Sequence, residues 1–432
     1  MLDGLKSAAR RVSNDLALRT LVHDCRRLLS ERGEANSIVI ARELITRYEA
    51  LSVEQQGLFF TRLAAEFSPD PKAVLAAAEA YAADPSPNHL ARLTTQVEAP
   101  RQELLRRINR APGGTASIVE MRRTLLSRVA KEPELQSVEA DFLHLLSSWF
   151  NPGFLQLHRV DWNSPAQLLE QLIRHEAVHA IDGWDDLRRR LQPDRRCFAF
   201  FHPQLPQEPL IFVEVALLDE MPKAIAPLIA KAAPVLDAGR PRVAAFYSIS
   251  NCQPGLRGVS LGNFLIKRVA EELKSELPSL RTFCTLSPIP GFARWVRDGA
   301  PCDGLSKVRA ERLEAAHRAL LATCDGELDR LTRAGTMRNL DEAAADALLR
   351  LGAYYLGFRS AAPEGDPVAR FHLDNGARLE RLNVQADLSS KALTHSFGLM
   401  VNYLYDLDRI EAQHEQFTQG TVAQSRAVAG LL

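Results

Sequence analysis

The sequence predicts an α+β protein: an all-α helical bundle over residues 1–150, then over 151–432 a mixed sheet with helices on its faces and a helical C-terminal extension. Two observations carry this reading. Helical periodicity fills the first 150 residues without a strand-like run. After Asn151-Pro152-Gly153 short apolar β-branched runs appear, and one of them is followed by a glycine-bearing turn and an amphipathic helix.

In the first segment, Ser52 and Gln55 form a capping box ahead of Leu58, Phe59 and Leu63. Asp70-Pro71 supplies an N-cap followed by proline at the first helical position. Breaks at Asp84-Pro85, Ala99-Pro100, Ala111-Pro112-Gly113-Gly114 and Glu132-Pro133 leave about seven helices joined by short loops. No glycine-rich loop or polar constellation stands out here, so the segment reads as scaffold or as an oligomerisation surface.

In the second segment a helix is expected from Ser164-Pro165 to about Ala180, and strands at Cys197–Phe201, Leu210–Leu218, Val243–Ser250 and Thr282–Leu286. The run Ile211–Leu218 is apolar except for Glu214, which marks a central strand buried on both faces with an internal carboxylate that needs a partner. Leu261, Phe264, Leu265, Val269, Leu273 and Leu277 recur at helical spacing, and Pro278 ends that helix. Helices are expected to dominate from Ser306 onward.

Composition bounds function. The 432 residues are 46% hydrophobic and 25% charged, with Lys+Arg and Asp+Glu both 53. A net charge of zero gives no general pull towards nucleic acid or an anionic membrane, so any anion must be held locally. No apolar run reaches the length of a membrane span. Met1–Thr20 lacks the apolar core of a secretory signal and reads as a first helix. The six cysteines show no close pairing, which fits reduced thiols in a cytoplasmic protein.

His175-Glu176-Ala177-Val178-His179 matches H-E-x-x-H, whose histidines could share a helix face and bind zinc. Asp182-Gly183-Trp184 is expected to stop the helix within a turn, and no later cluster offers a third ligand. The motif therefore reads as an amphipathic helix end, with no metal.

Three groups after residue 250 could carry chemistry. The turn Arg257-Gly258-Val259-Ser260-Leu261-Gly262-Asn263 lies between a strand and a helix, where backbone N–H groups and the helix dipole can hold phosphate. Lys267 and Arg268 are nearby cations. Ser287, in Ser287-Pro288-Ile289-Pro290-Gly291, is a hydroxyl held between a strand end and prolines. His372 follows in Phe371-His372-Leu373-Asp374-Asn375-Gly376, and Tyr403 and Tyr405 in Asn402-Tyr403-Leu404-Tyr405. Taken singly, each also fits an ordinary turn or core role.

The turn resembles the Q/R-x-x-G-x-G/A signature of GNAT-type acyltransferases, with Ser260 at the middle glycine. Taken in order, the turn, Phe264–Arg268, Leu286–Phe292, Phe371–Ala377 and Gly398–Tyr403 resemble malonyl-CoA decarboxylases. So do Glu176–His179, Arg195–Phe198, Phe212–Leu217 and Tyr247–Ser250. The resemblance implies a GNAT-like catalytic domain at 151–432 and a helical domain at 1–150 that makes a homo-oligomer, dimer or tetramer. It implies cofactor-independent conversion of malonyl-CoA to acetyl-CoA and carbon dioxide. Ser287 and His372 would be the catalytic pair, residues 257–263 the CoA-binding turn, and Tyr405 a neighbour of the site. The alternative on the same fold is a CoA-dependent acyltransferase. A CoA-binding assembly protein and a zinc hydrolase are further rivals.

Overall fold

The computed structural model describes residues 2–236, 240–259, 261, 265–360, 362 and 365–432, with side chains from Leu16 onward. Two compact units emerge. One comprises residues 1–155, 202–207 and 253–261, and the other 156–201, 208–252 and 262–432.

The first unit is helical. Its α-helices among the described residues are Leu2–Ser30, Glu34–Glu49, Val53–Glu66, Pro71–Ala83, Pro87–Val97, Pro100–Asn109, Gly114–Leu126 and Gln136–Trp149, one more than the breaks suggest. The capping box forms as expected, with Gln55 N–H donating to Ser52 Oγ and Ser52 N–H to Gln55 Oε1. Leu28, Ile40, Leu44, Phe60, Leu104 and Phe142 fill the core. The turn Pro254–Leu256 packs here too. Arg122 Nη1 donates to Gly255 O at 2.7 Å, and a Cβ at Gly255 would meet Val119 O at 2.0 Å, so only glycine fits.

The second unit holds an eight-stranded mixed sheet, β1 Gln156–Val160, β2 Arg195–Phe201, β3 Ile211–Leu218, β4 Val243–Asn251, β5 Thr282–Thr285, β6 Ser287–Pro288, β7 Arg378–Asn383 and β8 Met400–Tyr405. The order is β1-β2-β3-β4-β5-β8-β6, with β7 also paired to β8. β1 to β4 run antiparallel, and β5 joins β4 in parallel. A parallel pair needs a crossover, and the chain between them carries the helix Leu265–Glu276. β3 is central and buried along nearly its whole length, as its composition predicts. Between β3 and β4 the register slips: Glu214 faces Ser248 but Val215 faces Phe246, so Tyr247 is an unpaired bulge residue.

One expectation needs correction. The helix expected to reach Ala180 is Ala166–His175. It stops because Glu176 is extended and turns its carboxylate back on the chain, where Oε1 accepts the N–H groups of Val178 (2.8 Å) and His179 (2.7 Å). From Ser306 onward helices dominate as expected, and β7 and β8 return to the sheet beside β5 and β6. Among the described residues, no helix is long and apolar enough to cross a membrane.

Candidate active site

Strand geometry places the first groups. Thr285 and Ser287 are two residues apart along the β5–β6 segment, so their side chains share one face. Tyr403 and Tyr405 share a face of β8 for the same reason. β8 pairs with both β5 and β6, which sets the two faces side by side.

His372 reaches this point from the helix Pro367–Asp374. Its N-cap, Asp366, is buried and does two jobs. Oδ1 accepts the N–H groups of Val368 and Ala369 at 3.0 and 3.1 Å, and Oδ2 accepts Gly291 N–H at 3.1 Å. The start of the histidine's helix is thereby tied to the loop that follows Ser287. Close approach at that loop requires glycine, because a Cβ at Gly291 would lie 2.2 Å from the Tyr355 hydroxyl.

The three sequence-predicted residues Ser287, His372 and Tyr405 meet. Ser287 Oγ lies 2.9 Å from His372 Nε2, and His372 Nδ1 lies 2.8 Å from the Tyr405 hydroxyl. The imidazole stacks on Tyr403, with ring centroids 4.5 Å apart. Ser287 Oγ also lies 2.8 Å from Thr285 Oγ1, which accepts Tyr403 N–H at 3.2 Å.

The hydrogen-bond directions follow from the donors. Burial holds the Tyr405 phenol well above its usual range, so it is neutral, and its O–H needs an acceptor. Nδ1 is its neighbour, which leaves the imidazole proton on Nε2, facing Ser287. Desolvation pushes His372 down to about 3, so it stays neutral across physiological pH. Ser287 thus accepts from Nε2–H and keeps its own O–H to donate, to Thr285 or to a bound ligand. This differs from a hydrolytic triad, where histidine withdraws the serine proton.

A cavity of about 280 Å³ opens onto the pair. Phe246, Ile249, Pro288, Val368 and Phe371 give it an apolar wall, and Ser287, His372 and Ser248 supply polar atoms. Phe246 to Ile249, around the bulge in β4, line it. Such a space can strip water from a small anion and offer hydrogen bonds from fixed donors.

Arg257, Gly258, Val259 and Leu261 belong to the helical unit's 253–261 segment. Ser260, Gly262 and Asn263 lie outside the described residues. Lys267 is paired with Glu411 at 2.9 Å on an exposed face, and Arg268 sits over the Phe200 ring. Glu214 finds the partner its burial demands in Arg190, 3.0 Å away, which also binds Asp186. Burial pushes the Glu214 carboxyl up, to about 8, and Arg190 opposes that push. The two histidines of H-E-x-x-H do not share a helix. Glu176 accepts instead from Ser248 Oγ (2.6 Å) and Ser250 Oγ (3.2 Å). Among the described residues no three His, Cys, Asp or Glu side chains converge as a metal site would require.

Thr285 and Asp366 were not singled out in the sequence. Thr285 had a signal, its two-residue offset from Ser287. Asp366 also had one, an Asp-Pro helix start six residues before His372.

Comparison with known proteins decides the family. Residues 153–432 match the model of the malonyl-CoA decarboxylase C-terminal domain, and residues 67–150 that of the N-terminal domain. The chain belongs to the malonyl-CoA decarboxylase family. Within that family, mouse mitochondrial malonyl-CoA decarboxylase is 38% identical over 320 residues, which cover 71% of this chain and 65% of the mouse protein. The match therefore spans about 65% of the length of such curated relatives. Malonyl-CoA decarboxylase from Rhodopseudomonas palustris superposes with a TM-score of 0.84 at 46% identity, covering 96% of this chain and 99% of that one. The Cupriavidus metallidurans malonyl-CoA decarboxylase gives 0.74 at 36% identity, covering 96% and 100%.

Proposed function

We propose that this protein converts malonyl-CoA to acetyl-CoA and carbon dioxide, with Ser287 and His372 as the catalytic pair. The observation that carries the reading is the buried Tyr405–His372–Ser287 relay, which ends in a hydroxyl donor rather than an activated nucleophile. An acyltransferase or hydrolase would need a base. A decarboxylase needs dry surroundings for the carboxylate and a donor for the charge that develops.

The steps follow from that. The malonyl carboxylate loses solvation in the apolar cavity, which favours its departure as neutral carbon dioxide. The Cα–carboxyl bond breaks, and its electron pair moves into the thioester as an enolate. Ser287 O–H donates to the enolate, then gives its proton to Cα. His372 Nε2–H steadies the serine oxygen until water returns a proton on product release. Tyr405 and Thr285 act as positioning residues. The thioester is itself the electron sink, so no organic cofactor is needed.

The turn 257–263 is assigned to the CoA pyrophosphate, by resemblance and by the chemistry of a helix N-terminus. Residues 151–432 are assigned as the catalytic domain. Residues 1–150 are assigned as a homo-oligomerisation domain, in a cytoplasmic enzyme.

The deciding assay incubates pure protein with malonyl-CoA and no acceptor, and measures carbon dioxide and acetyl-CoA. Ser287→Ala and His372→Ala should each lose most turnover while CoA binding changes little. Near wild-type rates in both variants would remove the pair from the mechanism. Product only in the presence of an amine would favour the acyltransferase.

A further inference from the structure

A second cavity, of about 450 Å³, adjoins the catalytic one in the same unit. Val178, Pro288 and Val368 line both, so apolar side chains form the partition. The rest of its wall is also largely apolar, with Ile229, Ile289 and Ala392 prominent. Its charged members are held by the chain around it. Lys391 Nζ is turned onto the carbonyls of Ala177 (2.7 Å) and Val178 (3.4 Å), pinning the partition loop. Asp387 is engaged with Ser389 N–H at 2.8 Å, and His395 is exposed. His179 is 8% exposed, and its buried Nε2 has no hydrogen-bond partner among the described residues. Desolvation pushes this imidazole down to about 4, so it stands as a neutral dipole beside the apolar wall.

Such a lining fits a small uncharged guest. The reaction proposed above makes one. When the Cα–carboxyl bond breaks, the electron pair stays with the enolate and carbon dioxide leaves neutral, linear and poorly solvated by water. The CoA thioester still occupies the catalytic cavity at that moment. Carbon dioxide held against the enolate can re-form the bond, so a productive cycle needs somewhere else for it to go.

We propose that the second cavity is the receiving chamber for carbon dioxide, entered past Val178, Pro288 and Val368, with His179 Nε2 as its polar contact. The inference rests on the decarboxylase reading. It assigns His179 a use that the catalytic pair does not supply, and it gives Lys391 the role of holding the partition.

The test fills the chamber. Ala392→Phe places a ring inside it, and Ile229→Phe does so from a half-exposed helix position if the first variant fails to fold. Crystals of wild type under xenon pressure should show gas in the chamber, and the filled variant should not. In the variant kcat should fall by about tenfold with KM for malonyl-CoA little changed, because release rather than chemistry becomes limiting. The ¹³C isotope effect at the departing carboxyl should fall towards unity as cleavage becomes reversible. A filled variant that excludes xenon yet keeps the wild-type rate and isotope effect would overturn the proposal. So would slow turnover with an unchanged isotope effect, or a wild-type chamber that takes no xenon. A wild-type protein that releases no carbon dioxide from malonyl-CoA would instead sink the decarboxylase reading.

Discussion

Lowering the pH from 7 to 5 should weaken the catalytic unit through His372. The native imidazole is buried and neutral, with its pKa pushed from 6.5 down to about 3 by desolvation. The unfolded chain has an ordinary histidine. Between those two values the unfolded state binds a proton that the native state does not, so stability is complete above 6.5 and is lost as pH falls towards 3. At pH 5 the unfolded histidine is almost fully protonated, about 1.5 units below its pKa, while the native one is not. At about 1.4 kcal/mol per unit that is a loss of ~2 kcal/mol relative to pH 7. Urea unfolding of wild type and His372→Gln at both pH values isolates this group from the other histidines. The variant should lose ~2 kcal/mol less than wild type between pH 7 and 5. Equal losses, or an NMR titration in which His372 gains its charge near 6.5, would refute the picture of a dry, neutral imidazole.

Tyr405→Phe removes the O–H that fixes the imidazole tautomer. It should lower kcat by about tenfold, the equivalent of one hydrogen bond, with KM for malonyl-CoA nearly unchanged in steady-state assays. Asp366→Ala deletes the cap of the histidine's helix and its tie to Gly291. Thermal or urea unfolding should show a loss of about 1–2 kcal/mol, and kcat should fall with it. Gly291→Ala drives a Cβ to 2.2 Å from the Tyr355 hydroxyl, so it should destabilise the chain, and adding Tyr355→Phe should recover much of the loss in a double-mutant cycle.

What could be read in advance follows from the range of the interactions. The capping box at Ser52, the buried strand Ile211–Leu218 and the strand at 243 are set by residues within a few positions of one another, and sequence pattern finds them. Ser287, His372 and Tyr405 lie 85 and 33 residues apart along the chain. Nothing local in any one of them marks the meeting, and only the resemblance joined them. The short strands β1 and β7 carry no clean apolar alternation, β1 because most of it is exposed and β7 because arginine and glutamate sit at half-buried positions, and each draws its identity from its partner strand. Sequence pattern carries the helix from Ala166 past its true end because Glu176 has good helix propensity, whereas its capture of two backbone N–H groups is a tertiary event anchored by Ser248 and Ser250. The empty nitrogen of His179 could not be foreseen at all, since it depends on what fails to reach it.

The patchwork make-up of the helical unit has a consequence during synthesis. When Trp149 leaves the ribosome, the last helix of that unit exists but the unit is incomplete. Phe150 still awaits the ring of His202, which will sit 4.6 Å from it. Arg122, only 1% exposed in the finished protein, has Glu139 but lacks the carbonyl of Gly255, 133 residues further on. At roughly 5–20 residues per second the nascent chain carries that unfinished guanidinium site for something like ten seconds. Translation speed between codons 150 and 261 therefore sets how long a half-built helical bundle is open to misassembly or chaperone capture.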